Sequence, residues 1–377
     1  MLGWNDGSTR PLLPRMQEAY GVSYIVVSLF FVPSCLGFVL GALMNVWLTD
    51  RLGFGKVLVL GAALLIITYS VQAPVVNGIG LALQITNGFV GSLTYSPATK
   101  MGVLHAVYGE IGCVLCPLVA TQFAQMDRWS FYYLTSLGLA VCNTIVLAVI
   151  FRFRQQDGGE HVHVVAEGKD AGKFKQIMSE KTVHFLAFFI FVYVGVEVTI
   201  GGWIVTCIIR ERDGGPSSGY IASGFFGGLM LGRIILLQVK KWIGERRALY
   251  IYALISFGLE FAIWFVPSLI GNAITVSFIG MLLGPMYPIA LNQAARVLPP
   301  WILTGAVGWI AGFGQAGSAL IPFMTGAIAQ NHMIKSLHPL LIAMMALMVG
   351  LFALVPNRPK KCITGGGGVL SVRRKER

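Results

Sequence analysis

Six stretches of this 377-residue chain contain no Asp, Glu, Lys or Arg: residues 19–49, 57–99, 129–151, 261–295, 297–334 and 336–357. A helix rises 1.5 Å per residue, so crossing a hydrocarbon core of ~30 Å takes roughly 20 apolar residues. Every one of these runs is long enough for at least one crossing. Charged residues make up only 12% of the chain, about half the ~25% usual in soluble domains, and 55% of it is hydrophobic. A soluble enzyme, a collagen-like fibre and a disordered chain are excluded on that basis. Barrel strands are excluded as well, because the runs do not alternate in polarity with period two. The fold class is an all-α polytopic membrane protein. Its spans read as 21–48, 56–73, 76–96, 101–124, 130–151, 183–209, 217–239, 247–267, 271–294, 301–329 and 338–355, after a partial first helix in residues 1–20.

The net charge of +12 does not point to nucleic acid, because the charges cluster between the apolar runs. With the 49–56 loop placed on the cytosolic side and the spans alternating from it, 21 of the 28 Lys and Arg fall in cytosolic segments. Arg10, Arg15, Arg128, Arg210, Arg212 and Lys335 fall outside, and Arg233 lies within a span. That asymmetry is what the positive-inside rule expects, and it puts the C-terminus in the cytosol. The polar stretch 152–182 divides the chain into a helix bundle in residues 1–151 and a six-helix bundle in 183–356, followed by a basic cytosolic tail in 357–377. The first helix reads as lacking its beginning. A two-bundle arrangement of this kind is common in secondary transporters. Gly41 to Gly53 and Gly232 to Gly244 repeat one spacing, each running from a small-residue helix into a basic loop.

The loop Asp50-Arg51-Leu52-Gly53-Phe54-Gly55-Lys56 resembles the signature between the second and third helices of the major facilitator superfamily. Physically it is a latch at a helix end. Asp50 can meet a neighbouring helix end and a basic partner, while Gly53 permits a sharp turn. The leading Gly of that signature is Val46 here, and the second-half counterpart from Lys240 to Arg247 lacks the Asp. Three further segments resemble the fucose:proton symporter family: Asn5-Asp6 before Pro11-Leu12-Leu13-Pro14-Arg15, the run Tyr193 to Trp203, and Leu283-Gly284-Pro285-Met286-Tyr287-Pro288. Gly214 to Gly232 and Trp309 to Gln330 resemble a fungal branch of it. The likeness implies two six-helix bundles, sugar transport by proton symport, and a proton-coupling acid at Asp6.

An ionisable group within a span is costly and by default functional. Glu197 stands mid-span beside Thr199, Gly201, Gly202 and Trp203, where a carboxyl can alternate between protonated and ionised forms. Trp203 is a candidate for stacking on a sugar face. Asp6 and Glu110 are further candidate proton-coupling groups. Asn5, Gln84, Asn87, His105, Tyr108, Asn292, Gln293 and Gln315 supply neutral or weakly basic hydrogen-bonding groups suited to hydroxyls. His184 and Glu260 read as near-interface residues, and Arg233 as a side chain reaching towards the inner end.

Other motifs carry less. Gly312-Phe313-Gly314-Gln315-Ala316-Gly317 matches G-x-G-x-x-G, but it lies inside a span and follows no strand, so it reads as helix packing. Cys113-x-x-Cys116 also lies within a span, and the cysteines show no zinc spacing. His161-Val162-His163 reads as a solvated loop. There is no P-loop for ATP. The dispersed histidines give no metal-enzyme cluster. These features predict a non-enzymatic, cofactor-free, metal-free secondary transporter, monomeric in the bilayer, moving a small hydrophilic solute with H⁺ or Na⁺. A peptide, amino-acid or drug transporter and a non-transporting nutrient sensor remain the alternatives. The resident membrane reads as plasma membrane or a vacuolar or other endomembrane.

Overall fold

The structure, a computed structural model, describes residues 2–72, 101–151 and 170–357. The first half comprises α1 (Leu2–Tyr20), α2 (Tyr24–Ser28), α3 (Phe31–Leu52), α4 (Phe54–Gln72), α5 (Met101–Ala124) and α6 (Tyr132–Phe151). A short helix, α7 (Asp170–Ser179), leads into the second half. That half comprises α8 (Lys181–Glu211), α9 (Tyr220–Ile243), α10 (Glu245–Phe265), α11 (Leu269–Leu283), α12 (Met286–Val297), α13 (Pro300–His332) and α14 (Leu337–Ala353). Among the described residues, seven stretches are long and apolar enough to cross a membrane, with Val59–Ser70 and Gly112–Ala124 as shorter apolar helices. Among the described residues there is no strand. The expected span 76–96 lies outside the described residues.

Local chemistry sets the helix ends. Gly21 takes φ +61 and the Val22 amide reaches back to Gln17 O, the arrangement by which a glycine ends a helix. Ser23 then caps α2 and Ser268 caps α11, each accepting from an amide three residues on. Gly53 (φ +82) and Gly244 (φ +91) make the two tight turns at the end of the molecule where the basic loops gather. This end is called the basic end below, and the opposite one, carrying Tyr20, Glu211 and Lys335, the far end.

The structure departs from the sequence reading in four places. The span 21–48 is interrupted between α2 and α3, and 271–294 at Gly284-Pro285, though Tyr24–Gly41 and Leu269–Val297 each still read as one crossing. The polar stretch 152–182 contains a helix, α7. Phe174 of α7 stacks edge-on against Trp309, and Gln176 accepts from Trp301 Nε1 at 3.2 Å. Arg10, counted with the loops in the charge tally, is a buried residue of α1.

Each half has its own core. Leu12, Met16, Leu65, Tyr69, Cys116 and Tyr132 belong to one, and Phe189, Tyr193, Phe225, Ile279, Met345 and Phe352 to the other. In the second half the helices touch backbone to backbone. A Cβ on Gly228, Gly232, Gly280 or Gly284 would collide with the facing carbonyl of Ser277, Met281, Phe225 or Leu229. Small residues let membrane helices approach this closely, and van der Waals packing then replaces a hydrophobic driving force. Gly317, in the G-x-G-x-x-G stretch, meets the Phe191 carbonyl in the same way, which fits the packing expectation. The outer surface is apolar, with Leu36, Leu40, Ile67, Ile145, Ile234, Phe265, Ile270 and Phe278 all exposed. Such a belt is what lipid tails cover.

Candidate functional site

α8 is 31 residues long, and Glu197 lies near its middle, about 24 Å along the axis from its start. The residue is half-buried. One turn before it, Tyr193 is fully buried and interacts electrostatically with Glu197. Thr199 is fully buried, and its hydroxyl has no hydrogen-bond partner among the described residues.

The broken span faces this region. Pro285 and Pro288 bring no amide proton, so the helical bonds to Met281 O and Gly284 O cannot form. Other donors cap the break: Tyr193 Oη–H donates to Leu283 O at 3.1 Å, and Arg233 Nε–H donates to Gly284 O at 3.1 Å. Tyr287, just past the break, sits 6.3 Å from the Tyr193 ring. An acid, two tyrosines, an arginine and a discontinuous helix therefore meet at mid-depth. Discontinuous helices at that depth are where transporters build solute and ion sites. Tyr193→Phe removes one cap, and the expected cost is ~1 kcal/mol of stability. A thermal melt in detergent checks this, and an unchanged midpoint would discount the cap.

The sequence expectations divide. Glu197 is half-buried at the middle of α8, and Gln315 is half-buried on α13. Asn5 and Asp6 fall on α1, Asp50 on α3, and His105, Tyr108 and Glu110 on α5, but their side chains lie outside the described set; so, as whole residues, do Gln84 and Asn87. In the latch loop Gly53 makes its turn, Arg51 lies over the Trp47 ring at 4.7 Å, and Lys56 is exposed.

Other expectations are corrected. Trp203 is fully buried, donates to Pro322 O at 3.0 Å and packs between Tyr24 and Phe31. In this conformation it joins the two halves and offers no open face to a sugar. Asn292 and Gln293 belong to the basic end, because they lie beyond the break. Asn292 Nδ2 donates to Glu245 Oε1 at 3.2 Å, and Gln293 Nε2 donates to Pro356 O at 2.7 Å. Glu245 also binds Lys240 at 3.0 Å and Arg296 at 2.8 Å, so an acid at the start of α10, where the second half lacks the Asp, ties the basic end together. Glu260 lies near the far end of α10 but is buried inside the protein. It is 2% exposed and accepts a 2.7 Å bond from His338 Nδ1, while His338 Nε2 lies 3.5 Å from Cys207 Sγ. Arg233 is half-buried, and its Nε caps the break. Tyr193, Tyr287 and Arg10 were not singled out. The prolines at 285 and 288 were the one local signal for the first two.

The named contacts between the halves lie in the far half of the molecule. Glu18 pairs with Arg210 at 3.9 Å, and the Tyr24 amide donates to Gln330 Oε1 at 3.0 Å. Gln122 bonds Tyr220, and Ser28 fills the space beside Gly326.

Two apolar-coated helical halves with a polar cluster at mid-depth define an integral multi-pass membrane protein of the transporter class. A sequence model of the Major Facilitator Superfamily matches residues 1–322, and the chain belongs to that family. It is 25% identical over 402 residues to Bypass of stop codon protein 6 of Saccharomyces cerevisiae, covering 95% of this chain and 80% of that one. It is 23% identical over 366 residues to the glucose/mannose transporter GlcP of Bacillus subtilis, covering 91% and 89%. Its fold matches a crystal structure of the E. coli fucose:proton symporter, FucP, with TM-score 0.63, 13% identity and coverage of 94% and 96%.

Proposed function

We propose that this transporter moves a sugar together with protons, by rocking of its two halves about the mid-depth cluster. The observation that carries the reading is Glu197, half-buried at the middle of α8 and in reach of Tyr193 beside the capped break. A carboxyl held there is positioned to gain and lose a proton as access alternates, and Tyr193 gives that event a route to the break. The sugar reading is supported by the glucose/mannose transporter among the relatives.

Asp6 and Glu110 are proposed as further coupling acids. Asn5, Gln84, Asn87, His105, Tyr108 and Gln315 are proposed as hydroxyl partners, and Asp50, Arg51, Gly53 and Lys56 as the first-half latch. The basic end, with the C-terminus, is assigned to the cytosol by the charge asymmetry. The contacts named between the halves then close the outer side.

The test is proton movement in liposomes holding the purified protein, with sugars added one at a time. Sugar-dependent proton influx with one or a few hexoses is expected. Sugar uptake with no accompanying proton movement would overturn the coupling, and no response to any sugar would overturn the solute class.

A further inference from the structure

Among the contacts between the halves, one is unlike the rest. Arg10, on α1, is 6% exposed, and its guanidinium carbon lies 4.1 Å from the centroid of the Phe226 ring on α9. The same group fills a notch on α8, where a Cβ on Gly201 would collide with Arg10 Nη1. One side chain of the first half is thus seated against two helices of the second.

Its depth matters. Arg10 and Gly201 each lie ten residues inward of the far ends of their helices, at Tyr20 and Glu211, or about 15 Å along the axis. Glu18–Arg210 and Tyr24–Gln330 sit at those ends themselves. A guanidinium at such depth is costly to place and needs built surroundings. Here they include an aromatic face, which attracts a cation, and a missing Cβ, which makes room for it.

We propose that Arg10 is the bolt of the far-end gate, a positioning residue that holds the two halves shut at mid-depth. Parting the halves at that end draws the guanidinium off Phe226 and out of the Gly201 notch together. The strength of this one seat therefore sets how readily the far end opens. The proposal rests on the rocking motion of the preceding section, but not on the solute or the coupling ion.

The experiment uses the full chain in lipid nanodiscs, where both faces meet the reagent and no solute is needed. The native cysteines are replaced, and Ser28→Cys, beside Gly326, reports opening through its rate of labelling by a polar maleimide. R10Q is expected to raise that rate at least ~5-fold, and R10K less, because it keeps the charge but not the flat guanidinium. G201A is expected to raise it too, since its methyl displaces the guanidinium, and to add nothing in the R10Q background. R10Q labelling at the parent rate would overturn the proposal. So would a G201A effect of equal size with and without Arg10, which would mean that the notch acts through something else. Size-exclusion profiles identify any variant that has unfolded. A protein that labels as expected yet moves no proton with any sugar keeps the bolt and loses only the solute reading.

Discussion

Glu197→Gln is expected to abolish gradient-driven accumulation of solute while leaving exchange of solute for solute intact. The amide matches the carboxyl in shape and still reaches Tyr193, but it cannot titrate, so the steps that carry a proton lose their carrier. One unit of pH across the membrane is worth about 1.4 kcal/mol per proton, and so supports roughly tenfold accumulation in a one-to-one symporter. The expected loss is that whole factor. Uptake into liposomes against an imposed pH gradient, compared with counterflow in preloaded liposomes, separates the two activities. Undiminished accumulation in the variant would remove Glu197 from the coupling path.

The second large effect belongs to the buried Glu260–His338 pair, which ties α10 to α14 and, through Cys207, to α8. Both side chains are at most 5% exposed. Deleting one partner leaves the other buried without its bond, a loss of about 3–5 kcal/mol. Glu260→Ala and His338→Ala are each expected to lower the melting temperature by roughly 5–10 °C. In the double variant the two losses should not add, because one interaction is being removed twice. Additive losses would show that the residues act separately. Transport by the single variants, measured below their melting points, should remain near the parent rate, since the pair lies outside the mid-depth cluster.

How much of this was legible in the sequence varies by residue. The charge-free runs announced the helices because a bilayer leaves the backbone few alternatives. Gly53 and Gly244 were legible as turn sites because each sits where a small-residue helix meets a basic loop. Glu197 was conspicuous as a carboxylate amid apolar residues. Partnerships were not legible. Asn292 and Gln293 have the chemistry of cavity amides, and the sequence does not show that Glu245 and the Pro356 carbonyl take them up. Trp203 looked like a sugar platform because the sequence does not reveal that Tyr24, Phe31 and Pro322 enclose it. Arg10 was hidden by the charge count itself, which treats every arginine near a chain end as a loop residue. Glu260 gave no sign of a partner 78 residues away.

The glycine contacts of α9 and α11 bear on how the molecule can move. Where Gly228, Gly232, Gly280 and Gly284 press against carbonyls, main chain rests on main chain and no side chain can change rotamer to let one helix slide past the other. The second half is stiff across that pair, and the rocking proposed above would carry both helices together. Between the halves most of the touching parts are side chains, among them rings, the Gln330 amide, the Glu18 carboxylate and two arginines, which can swing on their own bonds. Compliance is therefore concentrated in the seam, and a ligand that stiffens only the seam would arrest the whole cycle without distorting either bundle.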